Sequence, residues 1–368
     1  PMLRLYSLQL TNFRNYSTLT FQPGQNINLL IGKNGSGKTN LLDAIHFLAL
    51  TKGAVSSTDA DYIKETETQA VVRGLFQFNN EEVEIASAIQ TGQKKIFKVN
   101  QQDYPKLSQH IGRIPLVIIL PDDVDLVREG SELRRKFFDS FISQQDSSYL
   151  ENLIRYGNIL KQRNSFLKNM AESGKTDRVL VDTYDAMIAP LGHQLYIKRK
   201  SFVQQFESYF IKSYQNLVLH EKVELHYTTT VTTEAEYLNQ LKANFNKDLL
   251  LQRTSFGIHR DDYHCKLGDG DLKKLGSQGQ KKSVVLALKL AQANWLQNAK
   301  GFFPLLLLDD VFDKLDNHRI EKLLQNLPKN TQIFISDARP DRTLPLFQQV
   351  GLSAKVFHVE DGNLLAHE

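Results

Sequence analysis

The sequence predicts an α/β fold drawn from both ends of the chain, with a mainly α-helical domain inserted between them. Three observations carry that expectation. The apolar run Ile27–Ile31 enters a glycine-rich loop that leaves as a helix, Asn40–Leu50, with Leu41, Leu42, Ile45, Leu48 and Ala49 as its apolar residues. Far along the chain, the apolar run Pro304–Leu308 is followed at once by two acids, Asp309 and Asp310. Between them, from about Ser131 to Val218, apolar residues fall at helical rather than alternating spacing.

Taken in order, the first 127 residues read as short strands rich in β-branched and aromatic residues: Leu3–Leu10, Ile27–Ile31, Ala70–Phe78, Val83–Gln90 and Lys95–Val99, with Leu116–Leu120 as a buried strand. A helix follows whose stripe is Leu150, Leu153, Ile154, Leu160 and Leu167, with Ser148 and Glu151 as a capping box. A second helical run carries Val181, Tyr184, Met187, Ile188, Leu191 and Leu195, then Phe202, Phe206 and Tyr209; Pro190 is expected to kink or break it. Strand character returns at Val223–Val231 and Tyr263–Leu267. Then come a helix over Lys281–Leu296, a buried strand Pro304–Leu308, a helix Asn317–Leu327 and a strand Gln332–Ser336. The predicted domains are therefore 1–127 plus 270–368, and an insertion of 128–269. Repeats, low-complexity tracts and Pro/Gly-rich linkers are absent, and Pro1 before Met2 reads as a residue foreign to the natural start.

At 368 residues there is room for two or so domains. With 41% hydrophobic and 23% charged residues, a disordered or fibrous chain is excluded. No apolar run approaches the roughly 20 residues of a membrane span, and no basic-then-apolar leader opens the chain, so no membrane partner and a cytoplasmic location are expected. The single cysteine, Cys265, cannot form an internal disulfide and fits a reducing compartment; it reads as a packed or exposed thiol before it reads as a nucleophile. Lys and Arg total 45 against 41 acids. The whole excess of +4 falls between Arg128 and Lys212, densest at Lys198-Arg199-Lys200. Such a surface suits phosphate backbones, and a solvated helix face has the same composition.

Gly32-Lys33-Asn34-Gly35-Ser36-Gly37-Lys38-Thr39 fits the phosphate-loop pattern G-x-x-x-x-G-K-[ST], placed between a strand and a helix as that pattern requires. Its glycines let backbone N–H groups face an anion, so Asn34, Gly35, Ser36, Gly37, Lys38, Thr39 and Asn40 are the expected nucleotide contacts. Lys38 would reach the β- and γ-phosphates of ATP, and the Thr39 hydroxyl would ligate Mg²⁺. Leu305-Leu306-Leu307-Leu308-Asp309-Asp310 has the form of a Walker B strand: Asp309 would hold Mg²⁺, and Asp310 would orient or deprotonate the attacking water. Gly276-Ser277-Gln278-Gly279-Gln280 before a helix is similar to the signature of ABC-type ATPases, in which a hydroxyl, a glycine and a helix N-terminus form a phosphate site for the opposite subunit; simple N-capping gives the same pattern. Phe312-Asp313-Lys314-Leu315-Asp316 matches the D-loop of that scheme.

These motifs, in this order, resemble the RecF family of SMC-like bacterial ATPases. Further stretches carry the resemblance over nearly the full length: Leu3–Tyr16 (LRLYSLQLTNFRNY), Pro121–Asp139 with its Arg134-Arg135 pair, Gly257–Asp262 (GIHRDD) and Leu308–Leu323 with Leu315, Asp316 and Arg319. The resemblance implies an ABC-type P-loop head with an inserted helical arm. It also implies an ATP-dependent homodimer that binds DNA at gaps or junctions, hydrolyses ATP slowly and works with RecO and RecR in loading RecA. By the same resemblance Lys38, Asp310 and Ser277 are the catalytic positions, and Ser277, Gly279 and Gln280 serve the opposite subunit's γ-phosphate. Arg14 is assigned to the α-phosphate or to DNA, with an exposed surface arginine as the other reading. The pattern departs in three places. Asp310 stands where ABC transporters carry glutamate, Ser336-Asp337 stands at the switch-histidine position, and Leu120-Pro121-Asp122-Asp123 stands where the Q-loop glutamine would be, with Asp122 as a candidate metal ligand. Arg134-Arg135 either touches DNA or braces an ion-pair network. Two other readings of the whole chain are a nucleotide-switch scaffold with incidental turnover and a small-molecule P-loop kinase; the second leaves Ser277–Gln280 and Phe312–Asp316 without purpose.

Overall fold

A strand buried along its whole length requires cover on both faces of its sheet, and Ile27–Ile31, Leu305–Asp309 and Ile333–Asp337 are each buried at every position. In the computed structural model, which describes residues 2–56, 58–79 and 81–367, these three lie side by side; Pro1 is outside the described residues. The sheet runs in the order Asn363–His367, Ala354–Glu360, Ile27–Ile31, Ile333–Asp337, Leu305–Asp309, Leu116–Ile119. All neighbours are parallel except the first pair. A second, antiparallel sheet runs Tyr16–Phe21, Leu3–Phe13, Gln69–Phe78, Glu81–Gln90, Ile96–Val99, Gln102–Asp103. Its strands alternate buried and exposed residues, as one-sided cover dictates.

The helix Lys38–Leu50 shares one apolar core with both sheets: Leu41, Phe47 and Leu48 cluster with Leu8, Val72 and Phe76 of the antiparallel sheet and with Leu305, Leu307 and Phe334 of the parallel one. Gln332 stitches the sheets together. Its amide accepts from the Leu5 N–H at 2.7 Å and donates to Leu5 O at 3.0 Å and Gly24 O at 2.7 Å. These elements belong to one compact unit, made of residues up to 124, 212–220 and from 282 onward.

The second unit, 125–211 and 221–281, holds helices Ser131–Gln145 and Ser147–Ser173 and most of Arg178–Leu217. It also holds two shorter helices, Glu234–Ala243 and Phe245–Leu251, and a three-stranded antiparallel sheet of Val223–Thr228, Asp262–Leu267 and Gly270–Asp271. Residues 270–281, expected with the head, fall in this unit.

Three local expectations are corrected here. Asp146, not Ser148, caps Ser147–Ser173: its carboxylate accepts from the Tyr149 N–H at 3.0 Å, and Ser148 Oγ donates to it at 2.7 Å. The buried stripe of that helix is Tyr149, Tyr156, Ile159, Arg163, Leu167 and Met170, while Ile154 is 44% exposed. Pro190 does not break the second run: Arg178–Leu217 continues as one helix through it, where Ile188, Ala189 and Leu191 are buried and a side chain at Gly192 would strike the Tyr237 ring. Packing there outweighs the one backbone hydrogen bond that proline removes.

Charge is buried in this unit. Arg163, fully buried, donates to Asp185 at 2.6 Å, Asp248 at 2.8 Å and Thr254 at 2.9 Å. Arg199 is equally enclosed; it holds Asp139 through Nε and Nη2, while Nη1 reaches Asp261 at 3.0 Å and Ile258 O at 2.8 Å. The Lys198-Arg199-Lys200 point is therefore not a uniform basic face, since Lys198 also pairs with Asp146 at 2.7 Å. The Arg134-Arg135 pair braces a network: Arg134 grips Asp262 with two bonds of 2.7 and 3.0 Å, and Arg135 donates to Ser131 Oγ and Asp261 O. Cys265 lies half-buried in the strand Asp262–Leu267, and loss of solvent around its sulfur pushes the thiol up to about 12, which disfavours the thiolate a nucleophile needs.

Candidate active site

Strand Ile27–Ile31 ends at the loop that the motif predicts, and helix Lys38–Leu50 starts with no side-chain cap on its first N–H groups. An uncapped N-terminus at a glycine-rich turn is an anion site. Gly37 sits at φ 114, in the region that favours glycine, and a Cβ there would lie 2.5 Å from Asn15 Nδ2 and 2.9 Å from Tyr16 Oη. Those two side chains hold the loop: Asn15 Nδ2 donates to Ser36 O at 3.1 Å and Tyr16 Oη to Gly37 O at 2.9 Å. Asn40 Nδ2 donates to Asn15 Oδ1 at 2.8 Å, which ties the helix start to the same hairpin. Neither Asn15 nor Tyr16 was legible as a site residue. Their only sequence signal is adjacency to Arg14, because the strand pairing that brings them to the loop is non-local.

Lys38 is buried, and its Nζ donates to Gly32 O at 2.7 Å and Lys33 O at 2.8 Å, which leaves one ammonium hydrogen for a ligand. Burial lowers its pKa, and the charges of Asp310, Asp309 and Asp337 oppose that. Asp309 ends the strand Leu305–Asp309, one strand removed from the phosphate-loop strand in the same parallel sheet, and Asp310 follows it directly, so both acids emerge at the carboxyl edge of the sheet where the loop lies. Thr39 Oγ1 donates to Asp309 at 3.0 Å from each carboxylate oxygen. Ser336 Oγ donates to Asp309 Oδ1 at 2.6 Å and accepts from the Asp310 N–H at 2.8 Å. Burial raises the Asp309 carboxyl, opposed by the Ser336 and Thr39 hydrogen bonds and by Lys38. Burial also raises Asp310, and Asp313, Asp309 and Asp337 add to that against Lys38.

Thr39 and Asp309 supply hard oxygens at hydrogen-bond separation, and Asp310 Oδ1 and Ser36 Oγ are buried without a hydrogen-bond partner. That donor set fits Mg²⁺, which takes few protein oxygens and completes its shell with water and phosphate. Among the described residues no group of three or more His, Cys, Asp or Glu could hold a metal by itself. Asp122 is exposed in the turn Pro121–Val124 after the outer strand Leu116–Ile119. Its neighbour Asp123 is the one held in place, paired with Lys289 at 3.0 Å and accepting from the Leu120 N–H at 2.6 Å. Arg14 lies with its guanidinium 4.6 Å from the Tyr62 ring centroid, and its Nε is buried without a hydrogen-bond partner.

The D-loop turns through Phe312–Lys314 and is laced by Arg342, which donates to the Phe312 and Leu315 carbonyls and to Asn317 Oδ1, while Asp316 caps the helix Asn317–Gln325. In the second unit Ser277 and Gln280 cap each other: Gln280 N–H donates to Ser277 Oγ at 3.2 Å, and Ser277 N–H donates to Gln280 Oε1 at 2.9 Å. The capping that the sequence allowed is therefore present. Ser277 is exposed at the head of helix Gln278–Lys300, and Gly279 lies in that helix's first turn.

The profile of the RecF/RecN/SMC N terminal domain matches residues 4–356. A DNA replication and repair protein RecF of Cytophaga hutchinsonii is 42% identical over 360 residues, covering 97% of this chain and 95% of that protein. The RecF of Flavobacterium johnsoniae is 41% identical and covered along its full length by 97% of this chain. Among solved structures, the recombination mediator protein RecF with ATPγS in the RecFOR pathway superposes with a TM-score of 0.90 at 28% identity, covering 100% of this chain and 99% of that one. An Smc head domain from Pyrococcus furiosus shares the fold, at a TM-score of 0.57 and 15% identity over 100% of this chain and 97% of that one. With a family profile over nearly its whole length and relatives above 40% identity, the chain belongs to the RecF family and carries the SMC-like, ABC-type ATPase fold.

Proposed function

We propose that this protein is an ATP-dependent DNA-binding factor of replication and recombinational repair. ATP bound with Mg²⁺ at the phosphate loop of one copy is completed by Ser277, Gly279 and Gln280 of a second copy. The observation that carries the reading is that one chain holds both a phosphate-loop site of Lys38, Thr39, Asp309 and Asp310, with Lys38 and Asp309 buried, and an exposed Ser277 that caps the start of the helix Gln278–Lys300. A ligand that is fully contacted only when two copies meet stabilises the dimer by mass action.

Within that site Lys38 binds the β- and γ-phosphates, and Asp309 with Thr39 would hold the metal, which would supply charge neutralisation at the phosphates. Asp310 orients the attacking water and takes its proton, a role that its raised affinity for protons favours. Arg14 would have to leave the Tyr62 ring to meet an α-phosphate. Slow hydrolysis, stimulated by DNA, then releases the dimer from gaps or junctions, with partners of the RecO and RecR type assisting RecA loading. The kinase alternative loses its support, because the signature and D-loop stretches lie within a chain of RecF kind. Lys38→Met should abolish nucleotide-stimulated DNA binding, whereas Asp310→Asn should keep it and stall hydrolysis. Wild-type DNA binding that ignores ATP, or equal loss in both variants, contradicts the proposal.

A further inference from the structure

The strand Ile333–Asp337 lies between the phosphate-loop strand and the strand that ends in Asp309. Asp309 and Ser336 are register partners on adjacent parallel strands, so their side chains share a face. Ser336 is fully buried, and its one hydroxyl is used in both directions: it donates to Asp309 Oδ1 at 2.6 Å and accepts from the Asp310 N–H at 2.8 Å. Asp310 stands at φ 47, a left-handed conformation that a non-glycine residue adopts only when its surroundings hold it there. Its Oδ1 is buried and has no hydrogen-bond partner, so the Ser336 bond to its backbone is the polar contact that fixes its direction.

We propose that Ser336 is a positioning residue that locks the metal-holding acid and the water-orienting acid into one unit. A histidine at this place would have a ring long enough to reach a phosphate. The serine hydroxyl is short and already spent on Asp309 and Asp310, so its action goes through them. A charge-assisted hydrogen bond to a buried carboxylate, together with a bond that holds a strained backbone, is the kind of contact whose loss lowers a rate by about 10- to 100-fold.

The inference rests on the ATPase reading above, and the test separates the two. Wild type, Ser336→Ala and Ser336→Thr are compared by calorimetric ATP titration with EDTA, the same titration with Mg²⁺, and ATP turnover. Ser336→Ala should bind ATP in EDTA as wild type does, lose most of the gain in affinity that Mg²⁺ brings, and turn over about 10- to 100-fold more slowly. Ser336→Thr, which keeps the hydroxyl, should recover both. Retention of the Mg²⁺ gain and of turnover within about threefold in Ser336→Ala overturns the inference, as does a threonine variant as impaired as the alanine one. An equal loss of ATP binding in EDTA also overturns it, because the defect would then be general damage to the site. A wild-type protein that binds no ATP would overturn the functional reading itself and this inference with it.

Discussion

Gly37 and Gly35 both have positive φ, 114 and 82, yet only one has neighbours in the way. In Gly37→Ala the new Cβ would stand 2.5 Å from Asn15 Nδ2 and 2.9 Å from Tyr16 Oη, the atoms that donate to Ser36 O and Gly37 O. Relieving that overlap displaces two hydrogen bonds worth about 1 kcal/mol each, on top of about 1–2 kcal/mol for the left-handed backbone. The expected loss is therefore about 3–4 kcal/mol. In Gly35→Ala nothing lies within 4 Å of the added carbon, so only the backbone strain of about 1–2 kcal/mol remains. Urea unfolding of the nucleotide-free protein reads the difference through Trp295, the single tryptophan, which is buried in the unit that contains the phosphate loop. Equal destabilisation of the two variants, or a Gly37→Ala variant within about 1 kcal/mol of wild type, would refute the claim that Asn15 and Tyr16 brace the loop.

Arg163→Met strands Asp185 and Asp248 in the interior of the helical unit and should cost about 3–5 kcal/mol, measured by circular dichroism during urea unfolding; a loss under 1 kcal/mol contradicts the buried network. His46, His110 and His259 are each pushed by burial down to about 4, so between pH 6.5 and 4 the unfolded chain binds protons that the folded one refuses, and these rings weaken the fold as pH falls through that window. Ring-proton NMR at pH 5.5 should find these three of the ten imidazoles neutral, and titration of any of them above pH 6 would contradict their burial. DNA affinity should fall by about a thousandfold between 50 and 200 mM salt if some six phosphates are contacted, and vary little with base sequence. Salt-insensitive binding would count against a phosphate-reading surface.

The parts of the site that the sequence displayed are those whose chemistry is local. A buried parallel strand leaves an unbroken apolar run, and a phosphate loop needs its glycines and lysine at fixed spacing, so Ile27–Ile31, Lys38, Thr39 and Asp309 can be read from the chain. Asn15, Tyr16 and Ser336 are brought to the same place by strand pairing across tens to hundreds of residues, so the sequence could place Ser336 at the switch-histidine position and Asn15 and Tyr16 beside Arg14 without showing what their side chains hold. The helical unit was harder for another reason. Its buried faces include Arg163, Asp185 and Arg199, which periodicity assigns to solvent, so an apolar stripe drawn through Leu150, Leu153 and Leu160 falls out of phase with the buried face of Ser147–Ser173. The edge strand Asn363–His367 and its neighbour Ala354–Glu360 are mixed in polarity, and pairing rather than composition defines them.

The central claim is that two copies share each nucleotide, and solution mass tests it most directly. Light scattering with ATP and Mg²⁺ should show wild type doubling in mass, while Ser277→Arg, altered at the exposed head of helix Gln278–Lys300, binds ATP and keeps the mass of one chain. ATP-bound wild type that stays at the mass of one chain would contradict the composite site.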